Sequence, residues 1–140
     1  MGPAGKRRRL LPGAIALGVG VAVAAVSGHH SQSSYEPTKT VTIEGTMEAI
    51  SWANPHSLFF VNARLADTPE AATERWSVEG PNPRALEQAG WPRVDAKVGE
   101  TIAMTGRPRR DGKPELLLTS LVTAAGKSVN FRPDGPGAPR

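Results

Sequence analysis

Three histidines, His29, His30 and His56, are the residues of this 140-residue chain whose type best suits metal chemistry. Neutral imidazole is a good ligand for copper, zinc and nickel. His29 and His30 follow an apolar segment with the features of a cleavable leader, so their chemistry depends on where the chain is cut. The sequence therefore predicts a transition-metal site, with copper as the candidate ion, formed by the three histidines.

Two ligand geometries follow from the two cleavage points that small residues allow. Cleavage after Ser27 would leave the amine of Gly28, the next two amide nitrogens and the His30 ring as a square-planar set for Cu(II). Cleavage after Gly28 would give His29 both an amine and an imidazole, with His56 or His30 completing the site. The alternative interpretation is that His29 and His30 are solvated, and that His56 packs on a neighbouring tryptophan or caps a turn.

A second group of residues has the types found in ligand-stacking and anion-binding surfaces. Aromatic rings stack on bases or sugar rings, and arginines hold phosphate or carboxylate groups. The predicted ligand-binding residues are Trp52, Asn54, Phe60, Trp76, Arg107, Arg109 and Arg110. The alternative is that the aromatic residues pack in the core or between strands, and that the basic segment beside Asp111 and Gly112 is a solvated turn.

The chain has no cysteine and none of the catalytic signatures of common enzyme classes. A Gly-x-Ser-x-Gly elbow, a His-Glu-x-x-His zinc helix and a phosphate-binding glycine loop followed by lysine are all missing from the sequence. His56 and Ser57 are adjacent on an extended segment, so their side chains point to opposite faces and do not form a base and nucleophile pair. We therefore expect a protein without enzymatic activity.

The first 28 residues have the pattern of a signal peptide. Basic residues at 6–9 precede an apolar run at 10–26, which is shorter than the ~20 residues that a spanning helix needs. We expect export to the periplasm or the extracellular space, by the general secretory route rather than the twin-arginine route that Arg7 and Arg8 also fit. An uncleaved amino-terminal anchor is the alternative. Membrane contact is expected only through this segment during export.

Removal of the signal segment changes the charge balance of the chain. Four of the 17 Lys and Arg residues lie in it and none of the 13 Asp and Glu residues does, so 13 residues of each sign remain. The high pI of the full chain is therefore no evidence for nucleic-acid binding, and we expect no nucleic-acid partner. Without cysteine, the fold must be stabilised by a hydrophobic core.

The remaining chain has the pattern of one β-rich domain at 40–131, between a flexible arm at 29–39 and a disordered Pro- and Gly-rich tail at 132–140. Alternating apolar residues from Val41 predict a first strand that bends at a bulge near Gly45 or Ala49. A helix is predicted from the N-cap Asn82 to Gly90. Further strands are predicted at 58–61, 75–78, 101–104, 116–123 and 129–131.

Three strands, a helix and two strands is the element order of the OB-fold, a five-stranded Greek-key barrel. We therefore predict an all-β fold with one short helix, an OB-fold-like barrel of five to six strands. Ligands of this fold usually lie across strands two and three, between the loop that joins strands one and two and the loop that joins strands four and five. Here these loops are 51–57 and 107–115, so a rim with Trp52, Asn54 and His56 would face a basic rim.

Several short motifs resemble those of an uncharacterised family of small exported bacterial proteins, a domain-of-unknown-function family. They are His29-His30-Ser31, Gly45-Thr46, Trp52-Ala53-Asn54-Pro55-His56, Glu79-Gly80-Pro81 and Gly90-Trp91. The likeness covers residues 29–122, and the double histidine together with the Trp-x-Asn-Pro-His loop is its most specific part. The chain departs from it at Gly99-Glu100, where an aspartate is common after the glycine. The resemblance implies an exported, single-domain, β-rich protein and transfers no catalytic residues.

Two functions of different classes follow from these features. The first is an exported module that binds a transition metal or a small ligand through the histidines, with the basic loop as a second rim. The second is an interaction module that packs the spare apolar face of strand two, at Phe59 or Phe60, against a partner protein or a second copy.

Overall fold

The computed structural model describes residues 1–2 and 32–131. The predicted signal segment, His29, His30 and the predicted tail at 132–140 lie outside the described residues. In the described part of the chain, no helix has the length and apolar character needed to cross a membrane.

The described residues form six strands, one α-helix and two short 3-10 turns. The strands are β1 (Val41–Ser51), β2 (Ser57–Leu65), β3 (Glu74–Gly80), β4 (Thr101–Pro108), β5 (Glu115–Thr123) and β6 (Ser128–Asn130), and the helix is α1 (Pro83–Gln88). The 3-10 turns are Gln32–Ser34 before β1 and Arg93–Asp95 before β4.

The strands close into a small barrel. Their order is β3-β2-β1-β4-β5-β6, and every pairing along it is antiparallel. A parallel pairing of Ser77–Glu79 with residues 115–117 joins β3 to β5 and closes five strands into a ring, to which β6 is added on β5. This is the OB-fold arrangement. The predicted small all-β barrel with one short helix is confirmed.

β1 is long and bent because it pairs with two neighbours on a curved surface. It pairs with β2 along its length and with β4 through its first half, and its register with β2 shifts between Met47 and Ala49. The bulge predicted near Ala49 is therefore confirmed. At Gly45 the strands approach so closely that a Cβ atom would overlap the carbonyl oxygen of Asn62 and the Cα of Ala63. Only glycine fits this contact.

The core fills the barrel interior with side chains from alternate strand positions. On β2 the inward residues Phe59, Val61 and Ala63 are fully buried, whereas the outward Leu58 and Phe60 are half-buried. The predicted second strand is thus confirmed. Its inward face lies in the core, and its outward face carries half-buried apolar side chains. The same core contains apolar side chains from the other strands: Ile43, Met47, Val78, Met104, Leu116, Leu118 and Leu121.

The helix α1 begins and ends where the sequence predicts. The Asn82 side chain accepts a hydrogen bond of 2.9 Å from the Ala85 amide, and Pro83 takes the first helical position. Gly90 follows the helix with a φ of 94°, a left-handed conformation that glycine adopts without strain. The helix buries Leu86, and the chain then buries Trp91 in the same core.

β4 extends further than the sequence pattern indicates. The sequence predicts that Arg107 and Pro108 belong to a charged loop at 107–115, but they pair with Leu117 and Leu116 of β5. The loop is shortened to residues 109–114. Polar and proline residues at the end of β4 have no alternating pattern, so only the pairing with β5 reveals that the strand continues.

We expect Gly45→Ala to lower the free energy of unfolding by about 1–3 kcal/mol, because the added methyl group must displace the backbone of β2. The matched control is Glu44→Ala on the adjacent exposed position of the same strand, which should change stability by less than about 0.5 kcal/mol. Urea unfolding followed by tryptophan fluorescence measures both. Equal stability of the two variants would contradict the close approach of β1 and β2.

Candidate functional site

Glu79 is a buried carboxylate on the outer side of the barrel wall. It lies on β3, where its Cα partners are Leu58 of β2 and Leu117 of β5, and its relative exposure is 7%. Among the described residues, the buried polar or charged residues are Glu79 and Ser57, apart from buried aromatic residues such as Tyr35. A carboxylate taken out of water is costly unless hydrogen-bond donors replace the lost hydration.

Two side chains hold the two oxygens of this carboxylate. The Tyr35 hydroxyl donates a hydrogen bond of 3.2 Å to Oε2, and the His56 Nδ1 lies 3.5 Å from Oε1. Burial raises the pKa of Tyr35, and the negative charges of Glu79 and Glu115 raise this pKa further. Tyr35 therefore remains a neutral hydroxyl donor at ordinary pH. We call Tyr35, His56 and Glu79 the carboxylate triad.

His56 enters this triad from the loop between β1 and β2. The loop contains a cis peptide bond between Asn54 and Pro55, and His56 immediately precedes β2. Its side chain is 40% exposed, whereas the Glu79 side chain is 9% exposed. In the tautomer that carries its hydrogen on Nδ1, a neutral His56 ring directs this hydrogen toward the carboxylate and has its lone pair on Nε2. The arrangement directs Nδ1, one of the two ring nitrogens, to Glu79.

The amino-terminal arm delivers Tyr35 to the same carboxylate. Glu36 N–H donates a hydrogen bond of 2.9 Å to Pro108 O, and Arg110 N–H donates one of 3.0 Å to Ser34 O. Arg110 Nε donates a further bond of 3.1 Å to the Tyr35 carbonyl, and Tyr35 forms a β-bridge with Arg109. Tyr35 is 3% exposed. The sequence predicts a flexible arm at 29–39; its residues 32–36 lie against the barrel.

Arg109 is committed to an ion-pair cluster within the β4–β5 loop. Its Nε and Nη2 donate bonds of 2.9 and 2.7 Å to the two oxygens of Asp111, and its Nη1 donates one of 2.9 Å to Glu115. The hydrogen bonds that Arg109 donates to Asp111 and Glu115 raise the pKa of Arg109. The hydrogen bond from Arg109 lowers the pKa of Asp111 to about 2. The guanidinium thus stabilises the loop conformation, and two carboxylates already neutralise it.

The other predicted ligand-binding residues are spread over several surroundings. The Trp52 ring packs edge-on against Phe59 at 5.8 Å and beside Trp91 at 6.3 Å, with the Arg93 guanidinium 5.3 Å from it. Trp76 lies in the core at 7% exposure, so its ring is not open to a ligand. The structure does not assemble these two rings into a stacking platform.

Three further predicted residues also lie apart from one another. Phe60 is half-buried, with the Arg75 guanidinium 4.6 Å from its ring centre. Arg107 is part of β4 and pairs with Leu117, and Asn54 is exposed in the loop before His56. Among the predicted ligand-binding residues, Asn54 lies nearest in sequence to a member of the carboxylate triad, two positions before His56. Arg110 belongs to the hydrogen bonds that attach the arm.

The described residues alone do not complete a metal site. Among them, no group of three or more His, Cys, Asp and Glu side chains is placed to hold a metal ion. They supply one imidazole, that of His56, with a carboxylate behind it. The other predicted metal ligands, His29 and His30, lie outside the described residues.

A separate depression on the barrel has little room for a ligand. It is lined by Met47, Trp91, Asp95, Lys97, Glu100, Thr101, Ile102 and Thr123, and its volume is about 10 Å³. A single water molecule needs about this volume. We therefore regard the carboxylate triad as the candidate functional site.

Residues 17–117 of the chain match a family of unknown function, DUF6152. The chain belongs to this family. The matched range contains the whole carboxylate triad and the Arg109 cluster. The resemblance to an uncharacterised domain family is thereby confirmed. No curated protein is similar enough to the chain to count as a match.

Sequence reasoning missed two members of the triad in this DUF6152 domain. Glu79 lies in the Glu79-Gly80-Pro81 segment that carries the family resemblance, but its strand also contains Glu74, Arg75 and Ser77, so the sequence does not single it out. Tyr35 is the single tyrosine of the chain and stands in a polar arm. A lone aromatic residue in such a segment was the available sign that the arm is anchored.

We expect Arg109→Gln to return the pKa of Asp111 from about 2 toward its ordinary value of 3.8, because the bidentate donor is lost. The folded pKa lies below the unfolded value, so the contribution of Asp111 to stability is present above pH 3.8 and is lost as the pH falls to about 2. Carboxyl-carbon NMR titration measures the shift directly.

Lys113→Gln is the matched control for this titration, since the Lys113 ammonium lies 3.8 Å from the same carboxylate and is exposed. It should move the Asp111 pKa much less than Arg109→Gln does. Titration of Asp111 near 3.8 in the unmodified protein would contradict the ion-pair cluster.

Proposed function

We propose that this protein is an exported, non-enzymatic binding module that holds a transition-metal ion, with copper as the candidate, on the Nε2 atom of His56. The observation that carries the proposal is the contact of 3.5 Å between His56 Nδ1 and the buried Glu79 carboxylate. Export to the periplasm or the extracellular space is inferred from the leader-like pattern of residues 1–28.

A carboxylate behind a histidine is the common outer-sphere arrangement of metal sites. A ligating imidazole usually donates its second N–H to a carboxylate, a carbonyl or water, and this partner sets the ring orientation and makes the ligating nitrogen more basic. In this protein Glu79 is in position to act in this way on His56, and the 40% exposure of the His56 side chain leaves part of the ring at the surface. A solvated surface histidine would need no buried carboxylate.

The remaining ligands are assigned to the amino-terminal histidines on chemical grounds. Imidazole and amine nitrogens suit Cu(II), and His29 or His30 would supply them next to a new amino terminus. His30 precedes Tyr35 by five residues, which an extended chain spans in at most about 18 Å. Since Tyr35 itself reaches Glu79, this chain length is compatible with a site shared between His56 and the arm.

The two other interpretations of the sequence have less support. An interaction module would need an open apolar face on β2, but the Phe60 ring is half-buried with Arg75 over it, and Arg75 is also paired with Glu48 at 3.2 Å. A small-ligand site with a basic second rim would need a guanidinium open to an anion, but Arg109 already binds two carboxylates. Metal binding has the support of one ligand, the His56 imidazole, with the Glu79 carboxylate 3.5 Å from its Nδ1.

His56→Ala should weaken Cu(II) binding by more than about tenfold, because loss of a ligand costs at least as much as loss of an outer-sphere partner. The protein is recovered from the periplasm with its natural amino terminus, stripped of metal and titrated calorimetrically. Electron paramagnetic resonance should show one fewer nitrogen ligand in the variant.

Ala53→Ser is the matched control, because it changes an exposed residue of the same loop and adds or removes no imidazole. It should leave the Cu(II) affinity unchanged. If His56→Ala binds Cu(II) as tightly as the unmodified protein, the ion is held elsewhere and the proposed site is wrong.

Glu79→Gln tests the outer-sphere role separately from direct ligation. We expect Cu(II) affinity to fall by about 10–100-fold while the number of nitrogen ligands stays the same, since Gln keeps the size of the side chain and removes its charge. Thermal unfolding of the metal-free variant reports whether the barrel is intact. An unchanged affinity would show that Glu79 does not act on the His56 ligand.

A further inference from the structure

We infer that Asp111-Gly112 is a site of isoaspartate formation that Arg109 protects by holding both oxygens of the Asp111 carboxylate. The site is not part of the carboxylate triad, and it does not rest on the proposed function. The juxtaposition that carries it is an aspartate followed by glycine in an exposed loop, with a single guanidinium bonded to both carboxylate oxygens.

The reaction at such a pair is a ring closure between the side chain and the next peptide nitrogen. The Gly112 nitrogen attacks Cγ of Asp111, so an N–Cγ bond forms, the nitrogen loses its proton and the carboxyl hydroxyl leaves as water. Water then opens the succinimide ring. Opening at Cγ restores aspartate, whereas opening at the main-chain carbonyl carbon leaves isoaspartate, in which the main chain runs through Cβ and Cγ.

Asp111 and Gly112 have the residue types and the exposure that this reaction needs. Both are exposed within the β4–β5 loop, and glycine has no Cβ atom to hinder the approach of its nitrogen to Cγ. Asp67 and Asp95 are followed by Thr68 and Ala96, which do have a Cβ atom. A second Asp-Gly pair, at 134–135, lies outside the described residues.

Arg109 opposes the closure because it binds Asp111 in its charged form. Its Nε donates a bond of 2.9 Å to Oδ1 and its Nη2 donates one of 2.7 Å to Oδ2, while Lys113 N–H donates one of 3.2 Å to Oδ1. Ring closure removes one of these oxygens and the negative charge, so the bidentate pair is lost. The guanidinium therefore stabilises the carboxylate relative to the ring.

The attacking nitrogen is bound to the same residue. Gly112 N–H donates a hydrogen bond of 3.4 Å to the Arg109 carbonyl. Arg109 is in turn attached to Glu115 at the start of β5, through a bond of 2.9 Å from Nη1 to the carboxylate and one of 3.2 Å from its N–H to the carbonyl. One arginine, fixed to a barrel strand, thus contacts both groups that must react.

The modification would change the loop that receives the amino-terminal arm. Isoaspartate adds a carbon atom to the main chain directly after Arg110. The Arg110 N–H donates to Ser34 O at 3.0 Å, and its Nε donates to the Tyr35 carbonyl at 3.1 Å. Protection of Asp111 therefore preserves the spacing between these bonds and β5.

The first test compares the folded full chain with a synthetic peptide of residues 107–115 during prolonged incubation. Closure proceeds through the protonated carboxyl group, and above about pH 5 a group with a pKa of about 2 is protonated about 60-fold less often than one with a pKa of 3.8. We expect isoaspartate at residue 111 to form at least about 60-fold more slowly in the protein. Peptide mapping by mass spectrometry, with isoaspartyl methyltransferase labelling, measures both rates and separates residue 111 from residue 134. Equal rates would overturn the inference.

Arg109→Gln should raise the rate at Asp111 by more than about tenfold, toward that of the peptide, because the bidentate donor is lost. Lys113→Gln is the matched control: it removes an exposed ammonium 3.8 Å from Oδ2 and keeps the main-chain donor, so its rate should stay near that of the unmodified protein. Thermal unfolding reports whether each variant is folded. An unchanged rate in Arg109→Gln, or an equal rise in both variants, would overturn the role of the guanidinium.

The pH profile separates carboxylate pairing from simple rigidity of the loop. The rate should begin to fall with rising pH near 2 in the unmodified protein and near 3.8 in Arg109→Gln, since each profile follows the protonated fraction of Asp111. Rigidity alone would slow the reaction without moving this point. A profile of the unmodified protein that begins to fall near 3.8 would therefore overturn the inference.

Discussion

The parallel pairing of β3 with β5 is the contact on which the rest of the structure depends. Three residues of β3, Ser77–Glu79, lie beside residues 115–117 and turn an open sheet into a ring. The same contact brings Glu79 between β2 and β5 and sets the β4–β5 loop beside the end of β3. Closure of the barrel therefore also places Glu79 where both Tyr35 and His56 contact it.

A buried carboxylate in this position is poorly explained by stability alone. An apolar side chain between Leu58 and Leu117 would be buried at no electrostatic cost, whereas Glu79 must be desolvated and then partnered. The two partners come from segments far apart in the chain, one of which is the arm that precedes β1. This combination supports a role for Glu79 in positioning the side chains that contact it.

The arginines of the β4–β5 loop are of a type that binds anions, but in the folded chain they bind other groups of the same protein. Arg109 and Arg110 have the side chains expected of an anion-binding rim. In the folded chain, Arg109 is neutralised by Asp111 and Glu115, and Arg110 donates to the arm at Ser34 and Tyr35. Their contribution is to shape the loop that receives the arm, and thus to place Tyr35.

The sequence by itself determined the local elements of this protein. The alternation in β1, the bulge near Ala49, the Asn82 cap and the Gly90 end of α1 follow from periodicity and backbone preference, which act over a few neighbouring residues. The order of these elements was sufficient to predict the barrel. His56 was recognised as a candidate ligand from its type alone.

Only the tertiary structure decided what His56 meets. Glu79 stands 23 positions after His56 and 44 after Tyr35, and no local pattern connects residues at such separations. The continuation of β4 through Arg107 also could not be predicted from local pattern, because Leu117, with which Arg107 pairs, follows the β4–β5 loop. Side-chain contacts between distant segments depend on strand register, and register is set by the packing of the whole barrel.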